Sequence, residues 1–313
     1  MKYDVIGDIH GQAGKLEALL LRMGYQELAQ GWVPPEGRQA IFLGDLIDRG
    51  PEQVKVVSIV RSMVEAGHAQ AIMGNHEFNA IGYMEPRRDA AGNAIPESFL
   101  SSRSDNKVKQ HAEFLRQVGQ GSALHLELIE WFRSLPVMLD LGDIRVVHAW
   151  WHQPHIDLVA SRWKQGEPLP DDLLHAAYDK LSPEYEAMEG LCKGLEVRLP
   201  DPHFYIDHSG VERRDVRVKW WHDKPESYVD VSIVDASQRQ RIPALPLPEN
   251  HLCAPVDGSP IFVGHYWMEG EPHLMSPKVA CVDWSAARGD EPLVAYRWHG
   301  ESELDAANFI ASH

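Results

Sequence analysis

Aspartate, histidine and asparagine recur beside glycine in three short strings, Gly7-Asp8-Ile9-His10-Gly11, Gly44-Asp45-Leu46-Ile47-Asp48-Arg49-Gly50-Pro51 and Gly74-Asn75-His76-Glu77. Each ends or interrupts an apolar run, a setting in which metal ligands gather at strand tips and backbone can approach a phosphate. Two further histidines, His148 and His265, follow apolar stretches. The donors are oxygen and imidazole nitrogen, without thiolate. Such a shell suits manganese first, then iron, zinc, cobalt or nickel, better than calcium or magnesium, which prefer oxygen alone. Two divalent ions about 3.5–4 Å apart lower the pKa of a bridging water toward ~7 and hold phosphate oxygens for in-line displacement. The pattern therefore points to metal-assisted hydrolysis of a phosphate ester by a bridging hydroxide.

Within that chemistry the side chains take distinct parts. Alternation along a strand puts Asp8 and His10 on one side, where they can share an ion. Asp45 has two oxygens and can bridge two ions, while Asn75, His148 and His265 offer neutral ligands to the second. The planar fork of Arg49 matches two phosphate oxygens. His76 is placed to protonate the leaving oxygen, with Asp48 orienting the ring and raising its pKa.

The elements that must deliver these strings are legible from periodicity. Residues 3–6 read as a short buried strand, and residues 12–23 as a helix with Leu16, Leu19, Leu20 and Met23 on one face and Gly24 just past its end. Residues 40–43 form a second apolar strand. Pro51 suits the first turn of a helix that carries Val54, Val57, Val60 and Val64 and stops near Gly67. Residues 69–73 are a third strand. This spacing is a βαβαβ unit with parallel strands, so all three strings fall at C-terminal strand ends, where open α/β sheets build their sites.

Farther on, residues 83–106 are polar and irregular and read as a surface excursion. Leu124, Leu128, Trp131, Phe132 and Leu135 mark a helix ending at Pro136. Residues 137–141 and 144–147 read as a hairpin that delivers His148. Residues 261–263 read as a strand ending in Gly264-His265, and 279–282 and 293–298 as closing strands. The stretch between His148 and His265 is long for a connection inside a core. It holds helical stretches around 171–193, a turn at 207–210, a basic run at 213–219 and a proline-rich passage at 243–260. Residues 149–258 accordingly read as an inserted cap within one domain spanning 1–313.

The chain resembles the calcineurin-like metallophosphoesterases, and within them most the phosphoprotein phosphatase branch. That pattern, Gly-Asp-x-His-Gly, Gly-Asp-x-x-Asp-Arg-Gly, Gly-Asn-His-Glu, a His after a strand and a Gly-His pair, is met without mismatch by the first three strings. The resemblance covers most of residues 1–80, then thins to Val147-His148, Gly264-His265 and the closing strands. It implies an α/β fold, a four-layer sandwich of two mixed sheets flanked by helices. It also implies Asp8, His10 and Asp45 on a first metal and Asp45, Asn75, His148 and His265 on a second, with Arg49 on phosphate and His76 with Asp48 as the acid dyad. Two departures reshape the pocket wall: Ala149-Trp150-Trp151 follows His148 where the family often has Gly-Gly, and Tyr266-Trp267 follows His265 where protein phosphatases commonly have Thr. The related symmetrical dinucleoside-tetraphosphate hydrolases usually show Ala and Asp where this chain has Asp48 and Glu77, which leans it away from that branch.

Composition bounds the partners. A net charge of −16 over 313 residues argues against a long polyanion such as nucleic acid, whose proteins usually present a basic stripe. No run approaches a membrane span or a secretory leader, and three scattered cysteines suggest no disulfide framework, so a reducing cytoplasm is expected. The first functional reading is hydrolysis of phosphate monoesters, in a phosphoprotein or a small molecule. Dinucleoside polyphosphate or cyclic-nucleotide hydrolysis is the alternative, with Trp150, Trp151 or Trp267 stacking a base. A non-catalytic metal-binding scaffold would be marked by lost ligands, and all six positions are filled. Arg213, Arg214, Arg217 and Lys219 read as a solvated strand face, Trp220-Trp221 as core, and Glu77 as support for its loop.

Overall fold

The computed structural model describes the chain apart from residues 30, 90, 208, 209, 223, 249, 250, 252, 254 and 255 and the side chain of residue 106. Lys2–Ile6, Arg38–Phe42 and Ala69–Ala71 lie side by side and parallel, as the βαβαβ spacing requires. Val294–Trp298 pairs antiparallel with the other edge of Lys2–Ile6, and Phe309–Ala311 closes that five-stranded sheet. A second sheet runs in the order Val279–Cys281, Ile261–Val263, Arg145–Val147, Met138–Asp140, with only the last pair antiparallel.

Side-chain alternation turns these two mixed sheets into a sandwich. Val5, Ile41 and Tyr296 of one sheet pack against Val146, Phe262 and Ala280 of the other, all fully buried. Their neighbours Ile6, Ala40 and Phe42 point the other way, onto Leu16, Leu19 and Leu20 of the helix Ala13–Arg22 and Val56, Val57 and Val60 of the helix Gln53–Glu65. On the second sheet Val147, Ile261, Val263 and Cys281 likewise face outward into the large cluster. A one-residue slip in any strand would exchange these faces, and each buried Leu, Val or Phe contributes roughly 1.5–3 kcal/mol, so the register is firmly set. The site loops leave the strand ends of this sandwich.

One buried charge clamps the middle of the first sheet. Asp4 is completely buried on the first strand and accepts from Arg38 Nη2 at 2.6 Å, Arg38 Nε at 3.0 Å and Tyr25 OH at 3.0 Å, with Arg297 Nε at 3.2 Å. Asp4→Ala leaves Arg38 facing no carboxylate, and removal of one partner of a buried pair costs about 3–5 kcal/mol. Urea denaturation is expected to show that loss; an unchanged midpoint would contradict it.

Some segments depart from the sequence reading. Residues 83–106 are not wholly irregular: they hold a two-stranded ribbon, Pro86–Arg88 with Ala94–Phe99. A helix, Asp105–Val118, follows, and periodicity had not singled it out. Two positions of the turn expected at 207–210, residues 208 and 209, lie outside the described residues. Between His148 and His265 the helices Gln153–Arg162, Asp171–Ala176 and Pro183–Lys193 pack into the large cluster through Ile156, Val159, Leu173, Leu174, Met188 and Leu191. Beyond them Glu196–Arg198, Asp215–Val218 and Ser232–Ile233 form an antiparallel three-stranded sheet. That sheet rests on its own apolar cluster, which includes Val197, Val216, Val218, Tyr228, Val231 and Ile242. No described helix is long and apolar enough to cross a membrane.

Candidate metal centre

The three strings and the two later histidines converge. Asp8, His10, Asp45, Asn75, His76, His148 and His265 are all buried, an unusual concentration of polar side chains at the strand ends. Five of them form two groups whose donor atoms lie within 4.8 Å of one another, His10 with Asp45 and His76, and Asp45 with His148 and His265; Asp8, expected on the first ion, falls in neither group, and His76 takes its place beside His10 and Asp45. Asp45 belongs to both. Its carboxylate lies 3.7 Å from His10 Nε2, 3.8 Å from His76 Nε2 and 3.4 Å from His148 Nε2.

Backbone carbonyls set the histidine tautomers. His10 Nδ1 donates to Ile47 O at 3.0 Å and His148 Nδ1 to Leu43 O at 2.6 Å, which turns each Nε2 toward Asp45. This is the orienting bond that metal-bound imidazoles generally make. His265 Nδ1 donates to Asn75 Oδ1 at 2.7 Å. Asp8 Oδ2 accepts from the His265 amide at 3.0 Å.

Asp8 and His10 are not on a strand, as alternation had suggested. The strand ends at Ile6, and His10 turns the loop with φ 47°. Left-handed backbone is common to this region: among the described non-glycine residues with positive φ, His10, Asp45, Asp48, Arg49, His265 and Trp267 are six of eight. Each such residue costs of order 1–3 kcal/mol and persists only where the surroundings hold it. Glu77 does much of that holding. It is fully buried and accepts from the amides of Asp45 and Leu46 at 2.8 Å and of Gly74 at 3.0 Å, tying the second string to the third. Gly264 permits the close approach of the His265 loop to Asp8, since a Cβ there would collide with Asp8 Oδ1.

The residues fit a pair of cations. Asp8 Oδ1, His10 Nε2 and His265 Nε2 are buried without a hydrogen-bond partner among the described residues, although buried polar atoms are almost always paired. Burial, with Asp283 and Asp45 nearby, raises the Asp8 carboxyl well above the usual range. Burial and His76 push His10 down to about 3, and burial with Arg217 lowers His265. Burial would lower His148 too, but Asp45 and Asp8 hold it up at about 10. Carboxylates crowded beside the His10 and His265 imidazoles, whose pKa values burial lowers, are suited to positive charge between them.

Beside the donors, His76 Nδ1 donates to Asp48 Oδ2 at 2.6 Å. A third member was missed by the sequence reading: His111, buried on Asp105–Val118, donates from Nδ1 to Asp48 Oδ1 at 2.7 Å. Burial alone would raise Asp48, yet the bonds from His111 and His76 outweigh it and keep the carboxyl at about 2. The signal lay in the helix pattern, where His111 shares a face with Phe114, Leu115 and Val118. Asp283 was also missed; buried after the strand Val279–Cys281, it accepts from the amides of Trp267 at 2.7 Å and Ser285 at 3.0 Å.

Arg49 is exposed at the mouth of the site, its guanidinium 4.1 Å from the centre of the Trp267 indole. Trp267 also packs against His10, ring centres 5.8 Å apart. The other tryptophans lie elsewhere: Trp150 stacks on His152 at 4.1 Å, Trp151 lies under Arg145, and Trp220 is buried with Nε1 3.1 Å from Ala149 O.

Buried Asp, His and Asn donors in two groups sharing one carboxylate, at the strand ends of a two-sheet sandwich, define a metallophosphoesterase type of site. The sequence profile of the calcineurin-like phosphoesterases matches residues 1–265, and the chain belongs to that family. Among curated relatives, the asymmetrical bis(5'-nucleosyl)-tetraphosphatase PrpE of Bacillus subtilis is 41% identical over 183 residues, 55% of this chain and 70% of its own length. The protein of that name from Oceanobacillus iheyensis is 31% identical over 149 residues, 48% of this chain and 55% of its own. The chain spans about half the length of the curated relatives it matches. A serine/threonine phosphatase from Saccharomyces cerevisiae shares the fold, with TM-score 0.51 at 17% identity, covering 99% of this chain and 78% of that one.

Proposed function

We propose that the chain hydrolyses phosphoanhydride bonds of dinucleoside polyphosphates, using two divalent transition-metal ions, manganese first among the candidates. The observation that carries the metal part is the set of buried donor atoms left without partners, Asp8 Oδ1, His10 Nε2 and His265 Nε2, around the shared Asp45. Asp8, His10 and Asp45 would hold one ion, and Asp45, Asn75, His148 and His265 the other. Such ions supply a nucleophile from water at neutral pH and draw charge from phosphate oxygens. The named activity of the relatives supports a dinucleoside polyphosphate over the phosphomonoester or phosphoprotein that the motifs alone suggest.

The side chains complete the reaction. Arg49, at the mouth and in no ion pair among the described residues, offers its fork to a phosphate, steadied by the Trp267 face. Burial would lower the His76 pKa, but Asp45 and Asp48 outweigh that and raise it, which keeps a proton on Nε2 for the leaving phosphate oxygen. Asp48, fixed from both oxygens by His76 and His111, prevents the ring from turning.

With Mn²⁺ and diadenosine tetraphosphate, water adds across one P–O–P linkage, and asymmetrical cleavage yields AMP and ATP in equal amounts. We expect that product pair, with kcat/KM above that for phosphopeptides. Dephosphorylation of phosphopeptides alone would refute the reading. Arg49→Ala is expected to lower turnover 10- to 1000-fold, roughly the effect of removing one charge-stabilising group; steady-state kinetics checks it.

A further inference from the structure

A cavity of about 490 Å³ opens beside the metal-donor cluster, between the small antiparallel sheet and the loop that follows His265. Its size is that of a small-molecule site. Strand alternation explains its lining. Along Asp215–Val218, Val216 and Val218 point into the apolar cluster beneath, so Arg217, and Lys219 just beyond the strand, face the cavity. Arg239, Tyr205 and Trp267 line it as well. Trp267 is also the residue that carries Arg49 and touches His10, so the cavity and the metal-donor cluster share a partition. Arg217 Nη1 lies 3.5 Å from the carbonyl oxygen of His265 itself.

The charges in this cavity are unevenly matched. Of the acids lining it, Asp207 is held by Arg213 at 2.7 Å, Asp215 lies 3.3 Å from Arg198, and Glu269 is held by Arg288. Glu196 stands opposite Arg217 in the sheet, and Asp235 is the one further acid on the lining, with no ion pair among the described residues. Lys219 and Arg239 also have no ion pair among the described residues. Lys219 is half-buried, and burial followed by the repulsion of Arg239 lowers its pKa. Two cations turned toward each other over a concave surface, with aromatic faces beside them, are suited to an anion attached to a flat ring.

We infer that this cavity is a second binding site, adjoining the metal-donor cluster at Trp267, that takes the unreacted nucleoside-phosphate half of the substrate, its phosphates on Arg217, Lys219 and Arg239 and its base against Trp267 or Tyr205. The inference rests on the dinucleoside polyphosphate reading, and it explains how an acidic chain accepts a polyanion.

The test uses the full chain with Lys219→Ala and Arg239→Ala, singly and together, and Lys219→Arg as the charge-keeping control. For the double variant, the ratio of kcat/KM for diadenosine tetraphosphate to that for p-nitrophenyl phosphate, which is too short to span both sites, is expected to fall at least tenfold. Lys219→Arg should recover most of it. ATP binding to the metal-free protein, followed by calorimetry, should weaken at least tenfold in parallel. An unchanged ratio with unchanged ATP affinity overturns the inference while leaving the hydrolase reading intact. If the unaltered protein cleaves p-nitrophenyl phosphate but no dinucleoside polyphosphate, the hydrolase reading fails. The ATP titration then decides alone: weaker binding in the variants upholds the cavity as a nucleotide site, and equal binding overturns it. Arg239 is exposed, so Arg239→Ala carries the test should the double variant fold poorly.

Discussion

Asp45→Asn is expected to leave a folded protein that binds no more than one transition-metal ion per chain and has lost at least about 10³ in turnover. The carboxylate is the only side chain common to both donor groups, and it lies within 3.4–3.8 Å of three imidazole nitrogens. Asparagine keeps the shape but removes a charge, and it presents an NH₂ where a second oxygen stood, so one of the two groups loses its shared ligand. Bound cations contribute several kcal/mol to the barrier, and about 4 kcal/mol is three orders of magnitude. Elemental analysis after dialysis against Mn²⁺ gives the occupancy, and p-nitrophenyl phosphate gives the rate. Two ions retained in the variant, or turnover near that of the parent, would remove Asp45 from the centre.

Glu77→Ala is expected to act on stability as strongly as Asp45→Asn acts on chemistry. Three amide N–H groups, those of Asp45, Leu46 and Gly74, end on its two oxygens in a fully buried setting. Leaving a buried donor unsatisfied costs about 1–3 kcal/mol, so a loss of at least about 3 kcal/mol follows for the three together. Because Asp45 and Gly74 belong to the ligand loops, turnover should fall as well, even at a temperature where the variant is folded. Glu77→Gln supplies a single carbonyl oxygen, and its NH₂ confronts an N–H, so it should restore part of the stability and little more. Thermal and urea melts decide the matter. A Glu77→Ala protein as stable as its parent would show that water replaces the carboxylate without cost.

Much of this was readable in residue order because it follows from periodicity. Apolar runs at 3–6, 40–43 and 69–73 gave three parallel strands, and the strings after them became the loops that meet. His148 and His265 each follow a strand of the second sheet, and the same rule located them. What periodicity could not supply was the path of the loops. His10 reaches Asp45 through a left-handed turn of its own, a conformation no alternation pattern encodes. His111 reaches Asp48 from 63 positions away, and only the fold juxtaposes them. The helices from Gln153 to Lys193 fall in the stretch read as an inserted cap, and which apolar faces they turn to the large cluster was not legible from their order alone.

The three-stranded sheet beside the centre rests on its own apolar cluster, and only Ile233 of its strands also packs against the larger one. Lys219 and Arg239 belong to neither cluster, so exchanges there leave the packing of both intact. Should the cavity take the far half of the substrate as inferred, changes at Lys219 or Arg239 would alter what is admitted with the bond-breaking residues untouched, whereas Arg217, 3.5 Å from the His265 carbonyl oxygen, ties the two together.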